Sequence, residues 1–301
     1  MPSQKGKTAV ITGSNSGVGF QAARELARAG CSVILACRDI GKAEAARTRI
    51  SGELPQAKVE VAALDLADLK SIRHFTKNFL ASGRSLDLLI NNAGVMALPR
   101  RKTTVDGYEM QFGTNHLGHF ALTLELLPAI FNAPLGRIVT VSSLAHRGAQ
   151  IRFEDLSWEK NYNPWRAYRQ SKLANLLFGM ELQRRLVRSG SKAISVIVHP
   201  GVANTNLTAN GPASNSKLLQ IIFKPLGALL LQPEEQGAWP TLRAATDSEV
   251  RGGTYYGPAN FFEWRGNPVE VKAEKQAYDE ALSGKLWEVS EKLTGEKSPI
   301  L

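Results

Sequence analysis

Tyr168 and Lys172 stand four residues apart in Tyr168-Arg169-Gln170-Ser171-Lys172, within a stretch of helical periodicity. On a helix this spacing puts both side chains on one face, one turn apart. A free phenol titrates near ~10, and a neighbouring ammonium favours its ionised form. The pair could then donate or accept a proton near neutral pH. By itself the spacing proves little, because a tyrosine and a lysine meet this way by chance on many helices.

A second constellation lies near the N-terminus. Thr12-Gly13-Ser14-Asn15-Ser16-Gly17-Val18-Gly19 follows an apolar strand and opens a helix. Gly13 permits a tight turn, Gly17 lets backbone approach a pyrophosphate, and Gly19 allows helix to pack closely on strand. The N–H groups and dipole of the helix start favour phosphate. A glycine turn alone is ordinary, whereas strand, turn and helix in series are what a dinucleotide site needs. The next strand delivers Cys37-Arg38-Asp39, with Cys37 where an acid would serve the ribose of NAD. Arg38 instead matches the 2′-phosphate of NADP, with Lys42 near enough to assist. The alternative is a surface ion pair between Arg38 and Asp39. Asp65-Leu66 ends the third strand, where Asp65 could equally cap the next helix. Asn91-Asn92-Ala93-Gly94 ends the fourth, where polar strand ends line the ligand crevice of open sheets.

These residues need a frame. Apolar runs rich in Val, Ile and Leu read as strands over 7–11, 32–36, 58–62, 87–90, 137–142, 194–198 and 253–256. Most lack polar alternation, as strands buried on both faces should. Helical patterns lie between them at 19–29, 43–50, 69–80, 113–131, 166–188 and 233–245. This alternation implies an α/β Rossmann-type fold: a doubly wound parallel sheet of about seven strands with helices on both faces. No composition shift divides residues 1–301, so a single domain is expected. A loop or lid is expected over about 202–232, and an apolar stretch at 218–231 within it is broken by Lys224 and Pro225.

Composition narrows the function classes. Apolar residues at 43% and charged residues at 21% place the chain among ordinary globular proteins. The net charge of +10 comes without basic runs or interleaved aromatics, so nucleic acid is not expected as a partner. Two cysteines, Cys31 and Cys37, suggest buried thiols in a reducing compartment. No stretch is long and apolar enough for a stable membrane span, apart from a minor prospect of surface contact at 218–231. His116 and His119 lie three apart but have no acidic or cysteine neighbour in sequence, so packing is expected and no metal. His146 and His199 stand alone and carry the same expectation. Trp165 is the best aromatic candidate for a wall of a substrate pocket.

The ordered set Thr12-x-x-x-x-Gly17-x-Gly19, Asn91-Asn92-Ala93-Gly94, Ser142-Ser143, Tyr168-x-x-x-Lys172 and Pro200-Gly201 resembles the short-chain dehydrogenase/reductase family over roughly residues 7–256. Asn115-His116-Leu117-Gly118-His119-Phe120 and His199-Pro200-Gly201-Val202 look like its retinol dehydrogenase branch and that branch's bacterial relatives. So does the long interval of 25 residues from Ser143 to Tyr168, with an insertion at about 151–165.

The resemblance implies roles. Tyr168 exchanges the proton, and Lys172 holds the nicotinamide ribose and lowers the Tyr168 pKa. Ser143 binds the substrate oxygen, with Ser142 facing away. Asn115 positions a water, while Pro200, Gly201, Val202 and Thr205 lie against the nicotinamide. Together these imply NADP(H)-dependent carbonyl reduction, or the reverse oxidation, of a small hydrophobic substrate. Reduction of a carbon–carbon double bond, as in protochlorophyllide reductase, is the alternative. A catalytically silent NADP-binding regulator is the third possibility, against which the intact tetrad argues. No hydrophobic N-terminal anchor of the membrane-bound branch precedes the first strand, so a cytoplasmic enzyme is expected, monomeric or homodimeric.

Overall fold

Alternate residues of each apolar run enter opposite faces of one sheet. On β1 (Thr8–Thr12), Ala9 and Ile11 join the core on one face and Val10 the core on the other. On β2 (Ser32–Cys37), Val33, Leu35 and Cys37 face one way, and Ile34 and Ala36 the other. A strand covered on both faces has no use for polar alternation. The computed structural model describes residues 1–202 and 232–300.

Among the described residues the remaining strands are β3 (Val59–Ala63), β4 (Leu88–Asn91), β5 (Arg137–Val141), β6 (Ile194–Val198), β7 (Tyr255–Asn260) and β8 (Arg265–Glu270). They form one sheet of eight in the order β3-β2-β1-β4-β5-β6-β7-β8. The first seven are parallel, and β8 returns antiparallel to β7 at the edge. The sequence reading did not anticipate β8. Its Arg265-Gly266-Asn267-Pro268 has no apolar run, and proline is tolerated because an edge strand leaves one side unpaired.

On one face pack α1 (Gly17–Arg28) and α2 (Ile40–Glu53), through Phe20, Ala23, Leu26, Ala43 and Ile50. On the other pack α3 (Leu69–Ala81), α4 (Gly118–Phe131) and α5 (Pro164–Arg188), through Phe75, Phe120 and Phe178. The helix expected over 113–131 begins instead with a π-helical turn, Gly113–Leu117. The one expected over 233–245 is two pieces, Glu234–Gly237 and α6 (Trp239–Thr246), and α6 restarts around Pro240, which has no N–H to give the preceding turn. A last helix, α7 (Glu280–Thr294), starts at an Asp279 cap and buries Trp287 against Phe120 and Phe178.

Sheet order reverses beside β1, where one connection leads to β2 and the other chain half begins at β4. That divergence opens a crevice at the strand carboxyl ends. Among the described residues no helix is long and apolar enough to cross a membrane.

Candidate active site

Thr12 ends β1 with a hydroxyl amid apolar neighbours, and that hydroxyl organises the crevice floor. It accepts from the backbone N–H groups of Asn92 and Ala93, both at 2.9 Å. It also meets His119 Nε2 at 2.8 Å. The other ring nitrogen, Nδ1, lies 2.9 Å from the Asn115 carbonyl, which can only accept, so Nδ1 carries the proton and Nε2 receives the Thr12 hydroxyl. Burial holds His119 neutral by pushing its pKa down to about 4. Asn92 Nδ2 donates to the Thr12 carbonyl at 2.8 Å, closing β1 against β4.

The glycine turn follows the expected geometry. Gly13 has φ +64°, and a Cβ there would stand 2.8 Å from Ala93 Cβ. Gly17 has φ +60° at the start of α1. Ser16 precedes the helix in extended backbone and gives no side-chain cap, leaving the first N–H groups of α1 turned to the crevice. Ser14 departs from expectation: it is buried, and its hydroxyl donates to the Ile11 carbonyl at 2.9 Å. It braces the turn from below.

Arg38 is exposed at the crevice rim. The surface pair with Asp39 is absent. Asp39 caps α2 by accepting from Lys42 N at 3.0 Å, and its other oxygen pairs with Lys42 Nζ at 3.2 Å. Asp65 does not cap α3 either. It accepts from Ala67 N at 2.9 Å, while Asp68 caps α3.

Tyr168 and Lys172 share one face of α5 beneath the end of β5, and both are almost fully buried. Lys172 Nζ donates to the Val141 carbonyl at 3.1 Å and lies 5.8 Å from the Tyr168 ring centroid. The expected lowering of the Tyr168 pKa is not what this geometry gives. Burial dominates and raises the phenol to about 12, while the neighbouring Ser143 hydroxyl works in the lowering direction. The same burial brings the Lys172 ammonium down to about 8. Tyr168 is thus a protonated phenol at neutral pH.

The two serines both border the crevice but are held differently. Ser142 is buried and gives its hydroxyl to the Lys172 carbonyl at 2.8 Å. Ser143, one residue on, lies at the crevice wall beside Tyr168 and accepts from Ala145 N at 3.1 Å. Asn115 sits in the π-helical turn, buried behind the wall. Its side chain accepts from Val95 N at 2.8 Å and donates to the Val95 carbonyl and Ser171 Oγ, both at 2.9 Å. Single π turns of this kind are frequent at functional sites.

One cavity of about 530 Å³ gathers Gly13, Asn15, Ser16, Gly17, Val18, Gly19, Arg38, Asp65, Leu66, Asn92, Ala93, Gly94, Ser143, Tyr168, Lys172, Pro200, Gly201 and Val202. Met96, Leu144 and Trp165 give it an apolar end, with Trp165 edge-on to Tyr168 at 6.2 Å. A larger hollow of about 850 Å³, between Gln21, Arg24, Trp239 and Pro268, holds none of these groups. Thr205 and nearly all of the expected loop over 202–232 lie outside the described residues, but Gln232 N donates to the Val202 carbonyl at 3.1 Å, bringing the flanking residues together at the crevice mouth. His116 and His146 pack as expected, His116 among Phe112, Phe120 and Phe178. His199 does more than pack: it bonds Glu263 and the Gly201 amide. Thr12, His119 and Glu263 received no role from sequence. The only hints were a hydroxyl at an apolar strand end and a histidine one turn after Asn115.

The family model for short chain dehydrogenase matches residues 7–215. Human retinol dehydrogenase 13 is 43% identical over 298 residues, covering 98% of this chain and 86% of its own length. Mouse retinol dehydrogenase 12 is 42% identical over 292 residues, covering 96% and 87%. A crystal structure of an uncharacterised protein from Mycobacterium paratuberculosis superposes with a TM-score of 0.81 at 43% identity, covering 99% of this chain and 97% of that one. A crystal structure described as that of an NAD(P)-dependent gluconate 5-dehydrogenase from Beutenbergia cavernae, with NADP bound at low occupancy, gives 0.62 at 26% identity, covering 82% and 92%.

Proposed function

The chain belongs to the short chain dehydrogenase family, and from that premise we propose that it is an NADP(H)-dependent oxidoreductase acting on a carbonyl or alcohol carbon of a hydrophobic substrate. The observation that carries this reading is the shared cavity: the Tyr168 phenol and Ser143 open onto the same space as the glycine turn and Arg38. The uncapped start of α1 fits a pyrophosphate, and the exposed Arg38 guanidinium fits a 2′-phosphate. Asn92, Ala93, Gly94, Pro200, Gly201 and Val202 would line the rest, joined by Thr205 on family grounds. When bound, the dinucleotide supplies or accepts the hydride.

Tyr168 holds a proton at neutral pH and donates it to the substrate oxygen in reduction. Ser143 donates a hydrogen bond to the same oxygen and stabilises its developing charge. Lys172 keeps an ammonium close to the phenol, which offsets the negative charge that proton donation leaves. On family grounds Asn115, whose carbonyl meets His119 Nδ1, would position a water on the path to Lys172. Met96, Leu144 and Trp165 favour an apolar substrate. Buried, unpaired Cys31 and Cys37 support a cytoplasmic setting. The test is NADPH oxidation across a panel of aldehydes, ketones and quinones, retinaldehyde included. NADPH binding with no turnover across the panel would count against the reading.

Two predictions belong here. Ser143→Ala should lower kcat/KM by about 100-fold, the scale for removing one oxyanion donor. Ser142→Ala should mainly cost stability, roughly 1 kcal/mol for a buried hydrogen bond. Steady-state kinetics and thermal melts of the two variants check this, and the reverse order would make Ser142 the reacting serine. The second concerns pH. A lysine with a lowered pKa is charged below that value and neutral above it, so reduction should be flat below about pH 8 and decline above it as Lys172 loses its proton. A kcat profile still level well above that point would remove Lys172 charge from the mechanism.

A further inference from the structure

β5 and β6 are neighbours in the sheet, and each releases a segment that the proposed chemistry needs. Ser143 follows β5, and Pro200-Gly201 follows β6. Their separation sets how substrate oxygen and nicotinamide face each other, and misplacement by about 1 Å can cost two orders of magnitude in rate. We propose that Glu263, at the tip of the β7–β8 hairpin, is the positioning residue that fixes these two segments to each other. This rests on the dinucleotide reading above.

One Glu263 oxygen lies 2.6 Å from an Arg147 guanidinium nitrogen, just beyond the short helical turn that Ser143 caps. The other oxygen lies 3.1 Å from His199 Nε2. Gly201 N donates to His199 Nδ1 at 3.2 Å, so Nδ1 is the acceptor and the ring proton sits on Nε2, facing the carboxylate. Glu263 therefore fixes the His199 tautomer, and His199 in turn fixes the Gly201 amide. The ring has no freedom to do otherwise: its side chain is wholly buried, and Gly257 on β7 lies so close that any Cβ there would strike it. The hairpin adds a second hold, because Val202 N donates to the Trp264 carbonyl at 2.9 Å.

The tip is built at a cost to its own backbone. Phe261, Phe262 and Glu263 have φ values of +52°, +57° and +65°, three successive side-chain-bearing residues in the left-handed region. Phe262 is 90% exposed, so the conformation buries little apolar surface in return. What the turn does achieve is delivery of one carboxylate between Arg147 and His199. Strain held in place by surrounding contacts is characteristic of functional positions.

The experiment compares Glu263→Ala, Glu263→Gln and, as a control at the same tip, Phe262→Ala. Deuterium uptake of the peptide carrying Gly201 is read on the protein alone. Binding of NADPH, followed by nicotinamide fluorescence, is read against binding of adenosine 2′,5′-bisphosphate, which reports only the Arg38 half. Both Glu263 variants should exchange faster at that peptide and bind NADPH about 10-fold more weakly, the scale of losing one hydrogen bond to a charged group. Adenosine 2′,5′-bisphosphate affinity should be unchanged, and Phe262→Ala should match the parent throughout. Parent-like exchange and NADPH affinity in the Glu263 variants, or equal losses in Phe262→Ala, would overturn the proposal while leaving the dinucleotide reading intact. A parent protein that binds neither probe would overturn both.

Discussion

Replacing Tyr168 with phenylalanine is expected to lower kcat by about 10³-fold, within the range for losing a general acid. The substitution removes one oxygen and keeps the ring that packs against Trp165 and below Lys172. Folding should survive, because the phenol is buried in a setting that already disfavours its ionised form. Phenylalanine asks for no desolvation of a polar group. NADPH affinity should change by less than about tenfold, since on the proposed reading the pyrophosphate and 2′-phosphate contacts would come from α1 and Arg38. Single-turnover measurements with NADPH and an accepted aldehyde separate the chemical step from binding. Turnover within tenfold of the parent would assign the proton to another group, and His146, near Ser143, would be next to examine.

The fold was legible where burial leaves a one-dimensional trace. β1, β2 and β4 pack both faces with apolar side chains, so their runs stand out without any partner being known. The glycine turn was legible for a related reason: Gly13 and Gly17 need positive φ, which few other residues tolerate. The edge strand β8 left no trace, because an edge needs no apolar run and admits Pro268. Within the candidate site, the residues that the cavity brings together could be named from sequence, but their balance of forces could not. The Tyr168–Lys172 spacing suggests charge coupling, yet the pKa shifts of both are led by burial, which depends on what covers α5. Asn115 could be named, but not that a π turn places it behind the wall, bonded to Val95 and Ser171. Glu263 was invisible for the plainest reason: its partners lie 64 and 116 residues away in sequence.

Arg38→Asp is expected to weaken NADPH binding by about 100-fold while weakening NADH binding little or improving it. Arg38 follows β2 where the chain turns into α2, so it lines the crevice just beyond a strand held by parallel pairing on both sides. Asp39 does not consume it. That carboxylate is satisfied by the Lys42 amide and ammonium, so the Asp39 pKa is lowered by those two bonds. The guanidinium is left for a ligand, and hydrogen bonds to a charged partner contribute roughly 1.5–3 kcal/mol. Aspartate removes that contribution and adds like-charge repulsion against a 2′-phosphate, while offering the ribose of NAD an acceptor. Lys42 remains, and its pairing with Asp39 should limit how far it compensates. Arg38→Gln separates the two effects, since it removes charge without adding repulsion and should fall between the parent and Arg38→Asp. Calorimetric titration with both dinucleotides checks the order. Equal affinity for NADPH and NADH in the parent chain would mean that Arg38 does not read the 2′-phosphate at all.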